Sequence, residues 1–162
     1  MEGPVTHQLQ SSRAQIIKFC FYDELSALLS QELKKRYDIV IHAAAVSDYQ
    51  PNHTYGSKLS SEFSQIKLHL VPTVKLIDNI KKLSPRSFLV GFKLESKPDR
   101  EPLMLKVNNL IKRAHCDLVV ANCQNDTQYH GFIIDKERNV LFTGTQRKDV
   151  AKNLVKILKE RA

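Results

Sequence analysis

A chain of 162 residues, 42% hydrophobic and 26% charged, has the bulk for one core and an ordinary globular composition, which excludes a disordered or fibrous protein. Its net charge of +8 attracts anions, but the basic residues are scattered along helices (Lys34, Lys35, Arg36; Lys81, Lys82; Arg147, Lys148). With 7% aromatic residues and no ladder for stacking bases, a solvated basic surface explains the charge better than a nucleic-acid interface.

No run nears the roughly 20 apolar residues of a membrane span, and the first residues lack the basic-then-apolar pattern of a secretion signal. The cysteines, Cys20, Cys116 and Cys123, form no C-x-x-C pair and leave one over in any disulfide scheme, so reduced thiols in a cytoplasmic compartment are expected. The histidines show no H-x-x-x-H spacing, which gives a zinc site little support.

Taken in order, residues 1 to 14 are polar, carry Gly3 and Pro4, and are expected to be an incoming loop. Gln15 to Phe21 holds Ile16, Ile17, Phe19 and Phe21, a predicted strand. Asp23 is placed to cap a helix with Leu25, Leu28, Leu29 and Leu33 on one face, and Lys34, Lys35 and Arg36 suit its carboxyl end. Ile39, Val40 and Ile41 then form a run without polar alternation, the pattern of a strand buried on both faces. Right-handed crossover makes these two strands parallel.

Ala43, Ala44 and Ala45 follow, then Ser47, Asp48 and Tyr49 before Pro51. Small residues there let a flat ring or a phosphate approach the backbone, and ligands of open α/β sheets sit outside the carboxyl ends of strands. Asp48 is placed to accept hydrogen bonds from a ligand or to hold a metal. Equally, the alanines can pack under a helix while Asp48 caps a turn. The turn-rich stretch 50 to 61 reads as a loop over this point; its cation, Lys58, is either solvated or a phosphate clamp.

Ile66, Leu68 and Leu70 alternate with polar residues as in a half-exposed strand. Thr73 is placed to cap a helix with Leu76, Ile77, Ile80 and Leu83 inward, ended by Pro85. Phe88 to Leu94 is another buried strand, with Gly91 permitting close approach. Pro102 suits the first turn of a helix burying Leu103, Val107, Leu110, Ile111 and Ala114. Asp117 to Ala121 is a further strand with Asn122 at its carboxyl end. Gly131 to Asp135 and Val140 to Thr143 read as an antiparallel hairpin, and Val150, Leu154, Ile157 and Leu158 stripe a last helix. The alternation predicts a single three-layer α/β/α domain over 1 to 162, Rossmann-like, with a mainly parallel sheet and an antiparallel hairpin at its carboxyl-terminal edge.

Five blocks in register across residues 39 to 158 resemble the phosphopantothenate–cysteine ligase family. Ala43-Ala44-Ala45-Val46-Ser47-Asp48-Tyr49 ahead of Pro51 is similar to its A-A-V-x-D-[YFW]-x-P segment, and Lys58-Leu59-Ser60-Ser61 to its K-[IL]-[KS]-[KS] loop. Leu70-Val71-Pro72-Thr73 resembles L-V-x-T, Val90-Gly91-Phe92-Lys93-Leu94-Glu95 resembles V-G-F-x-x-E, and Asp117-Leu118-Val119-Val120-Ala121-Asn122 resembles D-L-[IV]-[IV]-A-N.

The resemblance implies coenzyme A synthesis. The carboxylate of 4′-phosphopantothenate attacks the α-phosphate of CTP or ATP, with Mg²⁺, and the cysteine amine then displaces the nucleoside monophosphate. By position it implies nucleotide contacts from His42, Ala43, Ala44, Asp48, Val74, Lys75, Leu76, Ile77, Phe92 and Lys112, with Asn108 where a second lysine is expected. It makes Lys58 catalytic, closing over the triphosphate. It also implies a homodimer. The family's amino-terminal Gly-rich β-α-β unit has no counterpart among the five glycines. The chain is therefore expected either to work with a separate amino-terminal piece or to be a non-catalytic nucleotide-binding or dimerising remnant; a basic nucleic-acid-binding protein is the weaker alternative.

Overall fold

The computed structural model describes residues 14–53, 56–59, 61–96, 100–124 and 128–161. In chain order these form α1 (Tyr22–Glu32), a 3-10 turn (Leu33–Lys35), β1 (Ile39–His42), β2 (Tyr49–Pro51), β3 (Leu70–Pro72), α2 (Ile77–Leu83), β4 (Phe88–Glu95), α3 (Arg100–Ala114), β5 (Leu118–Gln124), β6 (Tyr129–Asp135), β7 (Val140–Gly144) and α4 (Arg147–Lys159). The main sheet runs β1-β4-β5-β6-β7. β1, β4 and β5 pair in parallel, while β6 and β7 add antiparallel. The expected layered architecture with its terminal hairpin is the one observed.

Strand alternation sorts the core into two. Leu89, Val119, Ala121, Cys123 and Ile134 face α1, α2 and α3, meeting Leu29, Ile80, Leu103 and Val107. Val90, Leu118, Val120 and Ile133 face the other way, onto Val150, Leu154 and Leu158 of α4. Burying each of the valines, leucines and isoleucines among them contributes about 1.5–3 kcal/mol. Gly91 brings the first layer close: a Cβ there would lie 2.9 Å from Cys116 Sγ, 3.2 Å from Ile77 Cδ1 and 3.3 Å from Leu110 Cδ2. The Cys116 thiol beneath it is pushed up to about 12 by burial, with the Asp117 charge adding to the rise. Asp117 pins the start of β4, accepting from Leu89 N–H at 2.8 Å and pairing with Lys81 of α2 at 2.6 Å.

Several sequence expectations are corrected. Residues 15–21 form no strand, only an isolated bridge at Lys18, and Phe21 is 71% exposed. Phe21, not Asp23, occupies the N-cap of α1, where the Glu24 carboxylate accepts from the backbone N–H groups of Cys20 and Phe21 at 2.7 and 3.2 Å. The parallel crossovers are therefore β1–α2–β4 and β4–α3–β5. Ile66 and Leu68 are exposed and outside any strand; β3 pairs with β2 in a two-stranded antiparallel ribbon off the main sheet. Thr73 does not cap α2, which begins at Ile77, because its hydroxyl donates to the Ser47 carbonyl. Asn122 lies within β5, which runs on to Gln124. The expected incoming loop lies, apart from Ala14, outside the described residues, as does Ser60 of the Lys58 block.

Candidate functional site

The carboxyl ends of β1, β4 and β5 open into a cleft of about 890 Å³. Because neighbouring strand residues face opposite layers, the cleft straddles the tip of the sheet. On the α2 and α3 side it is walled by His42, the segment from Ala43 to Asp48, the approach to α2, and Lys106, Asn109 and Arg113 of α3. On the α4 side stand Phe92, Asn122, Tyr129 and Arg147.

Of the residues singled out from sequence, His42, Ala43, Ala44, Asp48, Val74, Lys75, Leu76, Ile77 and Phe92 all line this cleft. Lys58 and Lys112 do not: both are exposed and outside the lining. Helical phase explains Lys112. Lys106, Asn109, Leu110 and Arg113 share one face at spacings of three, four and seven, and Lys112 is turned about 100° from Arg113. Asn108 is also off that face, and its Oδ1 is buried without a hydrogen-bond partner.

The tip after β1 is laced to the segment before α2. Thr73 N–H donates to the Asp48 carbonyl at 3.0 Å, and the Lys75 ammonium pairs with the Asp48 carboxylate. That hydrogen bond and charge hold the Asp48 carboxyl below its ordinary range. Across the mouth, Glu95 draws together Lys106 at 2.6 Å and Lys93 at 3.0 Å, and its carboxyl is likewise held low, first by Lys106 and then by Lys93. Arg113 is steadied by Asp78 at 2.9 Å. His42 differs: burial pushes its imidazole below the ordinary value, and its Nε2 is buried without a partner. On the α4 side the Tyr129 hydroxyl donates to Asn122 Oδ1 at 2.6 Å, and the Arg147 guanidinium lies over the Tyr129 ring, 5.7 Å from its centroid.

Lys93, Lys106, Arg113, Tyr129 and Arg147 escaped the sequence reading. For Lys106 and Arg113 the available signal was the polar flank of α3 beside its apolar stripe, which points to solvent or to a site without saying which. The arrangement offers an apolar, alanine-floored seat framed by cations, suited to an anion with a flat hydrophobic part. A protein-held metal does not fit. Among the described residues no three His, Cys, Asp or Glu side chains cluster to hold one, and Asp48 and Glu95 are already paired with lysines.

The family model described as "DNA/pantothenate metabolism flavoprotein C-terminal domain" matches residues 1–161. The "Coenzyme A biosynthesis bifunctional protein CoaBC" of Thermococcus kodakarensis is 44% identical over 101 residues, 62% of this chain and 25% of that protein. The chain thus spans about a quarter of that relative's length. A crystal structure of the DNA/pantothenate metabolism flavoprotein from Streptococcus pneumoniae matches with a TM-score of 0.83 at 20% identity, over 95% of this chain and 76% of that one. A crystal structure of the C-terminal domain of Coenzyme A biosynthesis bifunctional protein CoaBC matches with a TM-score of 0.74 at 19% identity, over 98% of this chain and 71% of that one. At those identities the two structures establish a shared fold.

Proposed function

Because this chain belongs to the family of DNA/pantothenate metabolism flavoprotein C-terminal domains, we propose that it supplies the nucleotide-binding part of a site that ligates 4′-phosphopantothenate to cysteine in coenzyme A synthesis. The observation carrying this reading is the cleft itself, in which nine residues matched to the ligase motifs converge with Lys106, Arg113 and Arg147. In the first step a carboxylate oxygen bonds to the α-phosphorus of the nucleoside triphosphate and the bond to the β-phosphate breaks, releasing pyrophosphate. In the second, the cysteine amine attacks the acyl carbon, loses a proton, and the nucleoside monophosphate leaves. Both steps bring anions together, so neutralisation and alignment are what this protein has to supply.

Lys106, Arg113 and Arg147 would offset triphosphate charge, while the alanine tip admits the ligand close to the backbone. The Asp48–Lys75 pair fixes the tip's position. Lys58, matched to the family's loop lysine, is exposed outside the cleft, so its role requires the loop to bring it over the triphosphate. CTP and ATP both suit the cleft. Mg²⁺ would arrive bound to the phosphates, since it prefers a few oxygen ligands and retained water over a protein cage. The reading includes a homodimer, a cytoplasmic setting and a Gly-rich β-α-β unit supplied beyond the described fold.

A second reading, a nucleotide-binding module without turnover, is favoured by the position of Lys58, exposed and outside the cleft. The two separate in one experiment. Calorimetry with CTP and ATP is expected to show binding, and pyrophosphate release is expected only when 4′-phosphopantothenate is also present. Lys106→Ala with Arg113→Ala should weaken binding at least tenfold, as loss of two charge-assisted contacts predicts. Binding without pyrophosphate under all substrate combinations would favour the second reading; no binding of either nucleotide would overturn both.

A further inference from the structure

Beside Arg147 on the α4 side of the cleft, Asn122 and Tyr129 form a supported contact that the ligase reading leaves unused. Asn122 of β5 and Tyr129 of β6 lie on the face of the sheet that packs on α4, and both line the cleft with Arg147. Their contact depends on Gly131, which pairs with Asn122 across the ladder. A Cβ at Gly131 would sit 2.6 Å from both the Tyr129 hydroxyl and Val150 Cγ2. The space a side chain would fill is the space through which Tyr129 folds back along its own strand to reach Asn122. The opposite side of the arrangement is held by Arg147, whose guanidinium lies over the Tyr129 ring and whose Nη2 donates to Gln124 Oε1.

An asparagine amide can present either its oxygen or its nitrogen to a ligand. Here the oxygen is taken by the Tyr129 hydroxyl at 2.6 Å, so the Nδ2 hydrogens are what Asn122 offers to an occupant of the cleft. Burial raises the Tyr129 phenol above its ordinary value, consistent with a protonated donor at neutral pH.

We infer that Tyr129 is a positioning residue: its hydroxyl locks the Asn122 amide in the donor-forward orientation that an acceptor on the nucleotide requires. The inference rests on the nucleotide reading of the cleft and deepens it by assigning Tyr129 and Asn122 a part in recognition. Selection by a fixed amide is directional. An acceptor atom on the base, sugar or phosphate satisfies it, and a donor at the same place is left unpaired.

Tyr129→Phe removes only the hydroxyl and keeps the ring under Arg147. It is expected to weaken CTP or ATP binding by about five- to tenfold, the scale of one fixed hydrogen bond, with the melting temperature changed little. Asn122→Ala is expected to weaken binding at least as much, and the double variant no further than Asn122→Ala alone, since the hydroxyl acts through the amide. In the unmutated chain, the Asn122 side-chain amide NMR signals should shift on adding nucleotide. Equal affinity for Tyr129→Phe and the parent, or additive losses in the double variant, would overturn the inference while leaving the nucleotide reading intact. Should Tyr129→Phe fail to fold, an Asn122 amide signal indifferent to saturating nucleotide would do the same. If the unmutated chain binds neither CTP nor ATP, the nucleotide reading itself falls and takes this inference with it.

Discussion

Burial of the His42 ring beside the cleft favours the neutral imidazole, because water that would solvate a charged ring is excluded. The folded chain therefore takes up a proton there less readily than the unfolded chain, whose ordinary value is 6.5. Between the depressed folded value and 6.5 the unfolded state binds more protons, so this contribution to stability is complete above 6.5 and is lost as pH falls below it. Melting temperatures measured from about pH 7 down to about pH 5 should decline, and His42→Gln should flatten that decline. An unchanged slope in the variant would show that His42 is solvated. The same residue shows how far sequence reaches at this scale. Its place at the cleft was legible only through the family resemblance, and an unpartnered Nε2 depends on what packs around the ring, which no spacing rule reveals.

At the scale of elements, the close approach of α2 and α3 to β4 depends on one missing methyl group. Gly91→Ala would drive a Cβ against Cys116, Ile77 and Leu110 at 2.9 to 3.3 Å, and overpacking of this kind costs about 1–3 kcal/mol. The urea midpoint should drop accordingly, and because Ile77 and Leu110 also line the cleft, nucleotide affinity should drop with it. Which flank of α3 borders the cleft is what the sequence left undecided. Lys112 lies in the right helix, yet the cleft is faced by Lys106 and Arg113, and only the angle at which α3 sits on the sheet determines that. Residues 15–21 carry enough apolar side chains for a strand, but a strand exists only where a neighbour completes its ladder. Two element ends were also silent in the sequence. Arg36 and His115 adopt left-handed φ of 58° and 54°, the conformation that glycine marks elsewhere.

For the whole molecule, alternation of buried strands with amphipathic helices was enough to read the three layers and the antiparallel end, since both patterns come from local periodicity. The floor of the cleft was legible for a related reason: ligands of such sheets collect at the carboxyl ends of the strands. Its α4 wall was legible only through Phe92 and Asn122, because Tyr129 and Arg147 come from a hairpin and a helix outside the motif blocks. The sheet separates two packing units, one built on α1, α2 and α3 and the other on α4. Hydrogen-exchange mass spectrometry with and without saturating CTP or ATP should show added protection in α3 and also in the first turns of α4, around Val150. Protection confined to α3 would mean that the ligand ignores the far wall. An occupant touching both sides would serve as a keystone. It would join two halves packed on opposite faces of the sheet, so resistance to proteolysis would rise across the entire chain and not only at the lips of the cleft.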